Sequence, residues 1–169
     1  MKKNLALTGM MGVGKSTIGK SLSKRLLMHF SDIDKIIENE LKMSVSEIFD
    51  KIGESFFRKY EEKITLQEIE KKNTVISLGG GAFMNSKIRQ SVLLNSKSFW
   101  LDLNTKVLEK RLIKSKQRPL LNGENLTEVL KKIYNERKDT YAVANYRINC
   151  NKLSTSLIAS KIINLYGNN

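Results

Sequence analysis

The sequence predicts a three-layer α/β/α domain built around a mainly parallel sheet. Short apolar runs alternate with longer amphipathic stretches along all 169 residues, the pattern of repeated strand–helix–strand units. Glycine-rich turns follow the first and third apolar runs, where a parallel sheet keeps its ligand crevice. No repeat or low-complexity linker interrupts the chain, so residues 1–169 read as one domain, long enough to bury roughly 70% of its unfolded surface.

The elements follow in order. Leu5–Thr8 reads as a buried strand, and Lys15–Leu27 as a helix with Ile18, Leu22 and Leu26 on one face. "HFSDID" reads as a second strand ending near Asp32–Asp34. Ser44 and Glu47 form a capping box that opens a helix through Ile48, Phe49 and Ile52, and a longer helix runs from about Glu54 towards Lys71. "TVISLGGG" is a third strand entering glycines, and Ser98–Leu103 a fourth, followed by a helix around Val107–Ile113. Lys116–Asn125 holds the only proline and reads as a loop. Leu126–Ala144 is helical, Arg147–Cys150 a fifth strand, and Ser154–Tyr166 a closing helix.

Composition narrows the classes. One cysteine, Cys150, excludes an internal disulfide and suits a reducing compartment. Lys2 and Lys3 precede apolar residues, but Asn4 and Thr8 break the run and no cleavage site follows, so no signal peptide is expected. No apolar stretch approaches the roughly 20 residues of a membrane span. A cytoplasmic monomer with no membrane partner is expected. The net charge of +13 invites a nucleic-acid reading. The lysines are scattered, however, with no interleaved aromatics, so a solvated surface is the expectation and no nucleic-acid partner is assigned. Only seven of the 30 cations are Arg, so each Arg asks for an explanation.

"GMMGVGKST" fits G-x-x-x-x-G-K-[ST] in full, with a strand before it and a helix after. Its glycines let successive N–H groups face phosphate oxygens, and the helix opening at Lys15 adds its positive dipole end. Gly12, Val13, Gly14, Lys15, Ser16 and Thr17 are therefore expected to bind a nucleoside triphosphate, with Lys15 on the β- and γ-phosphates and Ser16 on Mg²⁺. The chain is short for a motor and lacks the Asn-Lys-x-Asp that reads guanine, which leaves a small-molecule kinase.

The acceptor must be read elsewhere. Asp32 and Asp34, two apart on an extended segment, would point the same way, one towards Mg²⁺ and one towards a hydroxyl, unless they form a solvated acidic turn. Arg58 stands beside Phe56 and Phe57, three residues before Glu61, either as a surface ion pair or as an Arg that Glu61 presents to an anion. On the late helix, Leu126, Val129, Leu130, Ile133 and Tyr134 define an inward stripe that Arg137 and Tyr141 continue. An inward Arg needs an anion, from a buried carboxylate or from a substrate. Two such arginines suit a small acid, since Arg grips a carboxylate with two parallel bonds.

With these residues in place the chain resembles the shikimate kinases over nearly its whole length. The resemblance rests on "GMMGVGKST" with "IGKSLSKRL", "DID", "GESFFRKYEE", "ISLGGGA", "RPLL" and Glu136–Tyr141. It implies a P-loop kinase fold with a five-stranded parallel sheet, a mobile lid at about 116–125 and a substrate-binding helical segment at about 34–61. It also implies ATP-dependent phosphorylation of the shikimate 3-hydroxyl, towards chorismate and aromatic amino acids. Carried over, Lys15, Asp34 and Arg118 are the catalytic residues, with Asp34 on the substrate hydroxyls and Arg118 reaching from the lid to the phosphates. Arg58 and Arg137 match the carboxylate clamp, with Gly79, Gly80 and Gly81 completing the pocket and Phe49 and Phe57 forming its apolar wall. Asp32 resembles the residue that reaches Mg²⁺ through water, and Arg111 the one against adenine. After the last strand, where the family often shows Arg then Pro, this chain reads "CNKLSTS", with Lys152 and Ser154 at that place. His29 is assigned no role, and Trp100 is expected in the core. Two alternatives remain: a kinase for another polyol acid such as gluconate, and a nucleic-acid-binding ATPase.

Overall fold

The structure, a computed structural model, describes residues 3–115 and 125–167. Among these, strands and helices alternate as β1 (Asn4–Thr8), α1 (Lys15–Leu26), β2 (His29–Asp32), α2 (Ile33–Leu41), α3 (Val45–Lys51), α4 (Glu54–Glu70), β3 (Thr74–Ser77), α5 (Ser86–Asn95), β4 (Ser96–Asp102), α6 (Thr105–Ser115), α7 (Leu126–Tyr141), β5 (Tyr146–Asn149) and α8 (Thr155–Gly167). A single 3₁₀ turn, Ala82–Met84, follows the third strand. The five strands form one sheet in the order β2-β3-β1-β4-β5, and every pairing is parallel.

The central strands explain the layering. Every residue of β1 and β3 is buried, which requires helices on both faces, as parallel sheets demand. The pairs α1–α8 and α4–α5 pack together among the covering helices. Leu5, Leu7, Ile76 and Phe99 are fully buried in the core this creates, and Trp100 joins them as expected. Because the strands are parallel, their carboxyl ends all open on one side. The chain runs outward from β1 to β2, returns to β3 and then crosses to β4, so the order reverses around β1. That reversal is where an open α/β sheet leaves a crevice.

Two expectations about elements need correction. The second strand ends at Asp32, within the expected range, but the segment from Asp32 to Asp34 is not extended. Asp32 is the N-cap of α2, its Oδ1 accepting from the backbone N–H of Lys35 at 3.3 Å, and Asp34 lies in the helix's first turn. Asp is a strong N-cap, and the buried spacing of Ile33 and Ile37 favours a helix from that point. The helix α5 had no counterpart in the sequence reading. It starts at Asn85, whose side chain accepts from the N–H groups of Lys87 and Ile88. No helix among the described residues is long and apolar enough to cross a membrane.

Candidate active site

The loop between β1 and α1 is shaped by glycines in positive-φ conformations: Gly9 at 135°, Gly12 at 76° and Gly14 at 103°. Gly9 also passes so close to the next strand that a Cβ would stand 2.5 Å from the carbonyl oxygen of Leu101, a second reason for glycine there. Gly14 is the N-cap of α1 and has no side chain to bond the first N–H groups, and no acidic residue occupies the first turn. The positive end of the helix is thus directed at the loop without competition from a side-chain cap. Lys15 Nζ donates to the carbonyls of Gly9 at 2.8 Å and Met10 at 3.0 Å, closing the loop on itself. Arg111, on α6, donates to the carbonyl of Val13 at 3.0 Å and so lies against the same loop.

Beside this loop a cavity of about 730 Å³ is lined by Ser16, Asp32, Asp34 and Lys35, and extends along α2 towards Ser44–Ser46. The two aspartates meet Ser16 here even though the backbone between them is not extended. A cap residue and the second residue of its helix can face one space as well as alternate residues of a strand do.

A second cavity, about 280 Å³, adjoins it and shares Asp34 and Val45. Met11, Phe49, Phe57, Arg58, Glu61, Gly80, Gly81 and Arg137 help line it, with Val129 and Ile133 from α7. The Gly79–Gly81 turn after β3 is where these groups converge. A Cβ on Gly79 would overlap Glu61 Oε1 and come within 3.0 Å of Asp34 Oδ1. The Gly80 carbonyl accepts from Arg137 Nη1 at 3.1 Å and from the Tyr141 hydroxyl. A Cβ on Gly81 would press on Arg58 Nη1 at 2.8 Å. Three successive residues without side chains let two arginines and two carboxylates crowd around one turn.

Arg58 is held on every side. It donates to Glu61 at 2.8 Å and to Glu54 at 3.2 Å, and its guanidinium lies 5.6 Å and 5.3 Å from the ring centres of Phe49 and Phe57. Those rings pack on each other at 4.8 Å. Cation–π contact and two carboxylates fix the fork in one place. Burial pushes the Glu61 carboxyl above its ordinary value, and the Arg58 charge opposes that rise. The Tyr141 hydroxyl is also raised, chiefly by burial, and stays a donor.

The inward stripe of α7 is present as read. Leu130 and Tyr141 are buried, and Arg137 lies between them in chain order with its donor on Gly80. Val129 and Ile133, read as stripe positions, line the cavity, and Ile133 packs against the core as well. Arg118, "RPLL" and the lid segment up to residue 124 lie outside the described residues. Among the described residues, no group of three or more His, Cys, Asp or Glu forms a ready-made metal site.

The family model for shikimate kinase matches residues 11–166. The chain belongs to the shikimate kinase family. Curated shikimate kinases from Bartonella quintana (strain Toulouse) and Bacillus subtilis (strain 168) are 40% and 39% identical to it, over 96% of this chain in both cases. The matches cover 77% and 88% of those two proteins. The solved shikimate kinase from Acinetobacter baumannii, a complex with shikimate, superposes with a TM-score of 0.92 at 32% identity. That match covers 96% of this chain and 92% of the other. Members of the shikimate kinase family are ATP-dependent enzymes. The gluconate and nucleic-acid readings are not favoured.

Proposed function

We propose that this chain transfers the γ-phosphoryl group of ATP to the 3-hydroxyl of shikimate, at the junction of the two cavities that share Asp34. One observation carries the residue assignment. The Gly79–Gly81 turn gathers Arg58, Arg137, Asp34 and Glu61 within contact of one small space. Arg58 is already partly neutralised by Glu61, whereas Arg137 is bonded to a carbonyl. Arg58 is also paired with Glu54. It is therefore Arg137 that brings a guanidinium with no carboxylate bonded to it, among the described residues, to the single carboxylate of a small acid, with Arg58 held beside it by its acidic partners.

The roles follow from position. Arg58 and Arg137 grip the substrate carboxylate at one end of the smaller cavity, with Phe49 and Phe57 against the ring. Gly80 and Gly81 allow the ring to approach the backbone. Asp34 faces both cavities, so its carboxylate accepts the proton of the hydroxyl that points towards the nucleotide. Gly12 to Thr17 hold the phosphates with their N–H groups, and Lys15 turns its ammonium from the loop carbonyls to the β- and γ-phosphates. Ser16 and Asp32 share one cavity and offer the hard oxygen donors that Mg²⁺ takes alongside phosphates and water. When bound, that ion neutralises charge on the triphosphate. Arg111 serves the adenine side and Arg118, outside the described residues, the transferring group. The chain works as one domain and as a monomer in the cytoplasm, on small molecules alone.

Asp34→Asn tests the assignment, because it keeps the shape and removes the base. A correctly placed base is worth about 10²- to 10⁴-fold, so kcat for shikimate should fall by at least about 100-fold. Binding of a fluorescent ATP analogue should be unchanged. Equal kcat in the two proteins would remove Asp34 from the chemistry.

A further inference from the structure

Helix α7 is fastened at two points that bracket Arg137, one on the turn after β3 and one on the sheet. One is the Tyr141 hydroxyl on the Gly80 carbonyl, at the cavity itself. The other lies away from it. Tyr134, three residues before Arg137, donates its hydroxyl to Asp102 Oδ1 at 3.1 Å. Neither Tyr134 nor Asp102 lines the two cavities described above. We propose that Asp102 is a positioning residue for the acid pocket: through Tyr134 it fixes where α7 lies, and thereby how Arg137 meets the substrate carboxylate. This rests on the reading of Arg137 as part of the carboxylate clamp.

The geometry around Asp102 is that of a fixed anchor. It is the last residue of β4, and its side chain is only 9% exposed. Its second oxygen accepts from Arg147 twice, from Nε at 3.1 Å and from Nη2 at 2.6 Å. Two charge-assisted bonds from one guanidinium to the same oxygen hold the carboxylate in one orientation. Arg147 is itself seated, since its guanidinium lies 4.7 Å from the ring centre of Trp100, which is buried in the same strand as Asp102. Trp100 in turn stacks on Tyr141 at 5.9 Å. Sheet residues therefore hold the helix through Tyr134 and Tyr141, with Arg137 between them. Burial and the Asp102 charge push the Tyr134 hydroxyl above its usual range, so it remains a donor at working pH.

Residues three and four apart on a helix share a face, so a shift at Tyr134 is passed to Arg137, and Arg137 shares its face with Ile133 in the cavity wall. Among the described residues, the other side-chain tie from this half of α7, Thr127 Oγ1 to Glu109 Oε1, runs to α6 and not to the sheet. Cutting the Tyr134 bond thus removes the polar tie to the sheet on the side before Arg137. It leaves apolar packing such as that of Leu130 there, and every cavity residue in the sequence.

The experiment is a kinetic split in the full-length enzyme. Tyr134→Phe removes one oxygen. Hydrogen bonds to charged groups are worth more than neutral ones, and part of that loss reaches Arg137, so KM for shikimate should rise about three- to tenfold. The melting temperature should fall by a few degrees at most, while KM for MgATP and kcat change little, a split that a merely structural role would not produce. Asp102→Asn keeps an oxygen acceptor and should give a smaller rise. Tyr134→Phe added to Asp102→Asn should raise KM by less than it does alone. KM for shikimate within twofold of the parent in folded Tyr134→Phe would overturn the proposal, as would an equal rise in KM for MgATP. Arg137→Lys measured alongside separates the two layers. If it leaves KM for shikimate unchanged, the clamp reading fails; if it raises KM and Tyr134→Phe does not, only the positioning role fails.

Discussion

Arg58 and Glu61 form an ion pair at 2.8 Å whose halves occupy different surroundings: the Glu61 side chain is 2% exposed and that of Arg58 33%. Glu61 gives one oxygen to the arginine, and its other oxygen is buried without a hydrogen-bond partner among the described residues. A half-satisfied buried carboxylate is a poor source of stability. Its value lies in what it does to Arg58, which it pins at the mouth of the acid cavity.

Replacing Arg58 by Lys keeps the charge and discards the fork. One ammonium cannot bond Glu61, lie between two rings and still meet a carboxylate through two parallel bonds. The loss of one or two charge-assisted bonds corresponds to a rise in KM for shikimate of about tenfold or more, with KM for ATP unaffected. Titration calorimetry with shikimate checks this, and unchanged affinity would contradict it.

Glu61 also makes a pH prediction. Its carboxyl is raised above 4.5, by burial first and against the pull of Arg58. A group raised on folding gives stability that is complete below its unfolded value and is lost as pH climbs through the folded one. The parent should therefore lose ground to Glu61→Gln as pH climbs above 4.5, in urea midpoints measured from acid to neutral pH. A constant difference between the two proteins would refute it. At the same time Glu61→Gln should raise KM for shikimate, because Arg58 loses its charged partner.

Gly79→Ala probes the crowding at the turn. The added methyl would overlap Glu61 Oε1 and press on Asp34 Oδ1. Overpacking of this kind costs about 1–3 kcal/mol, and the two carboxylates must move. The melting temperature should fall and kcat/KM for shikimate should drop by more than tenfold, of the order a misplaced catalytic group produces. A variant with parental kinetics would show that the turn tolerates a side chain and that its closeness to Asp34 is irrelevant.

Lys15→Met separates the phosphate role from the loop-closing one. The ammonium bridges the carbonyls of Gly9 and Met10, so some stability is lost along with it. The larger effect should be on kcat, which loses a cation at the transferring phosphoryl and should fall by at least about 100-fold. Rapid-quench measurement of product formed per turnover distinguishes slow chemistry from slow release.

The phosphate loop was legible because it is an eight-residue pattern in a strand–helix setting, and its glycines have no cheap substitutes. The stripe of α7 was legible from spacing alone, and it correctly brought Arg137 inward. Asp32 and Asp34 were assigned to one space for the wrong local reason, since a strand ending in Asp looks much like a helix starting from one. The helix α5 was missed because only Ile88 and Val92 of its ten residues are buried, which leaves almost no periodic signal. Burial of Glu61 could not be read from α4, where acidic residues take inward places beside Phe57 and Ile64. Such places become intelligible only once Arg58, Gly79 and Ser31 are seen to meet them: Ser31 donates to Glu68 as Arg58 does to Glu61. The partnership of Asp102, Tyr134 and Arg147 joins three elements far apart in sequence and leaves no motif.

The most direct test is steady-state ADP release from MgATP, with shikimate, quinate or gluconate as the added acid. The site described here predicts rapid release with shikimate, little with the other two acids, and almost none without an acid. Release that gluconate stimulates and shikimate does not would contradict the assignment of the arginine pocket while leaving the phosphate loop in place.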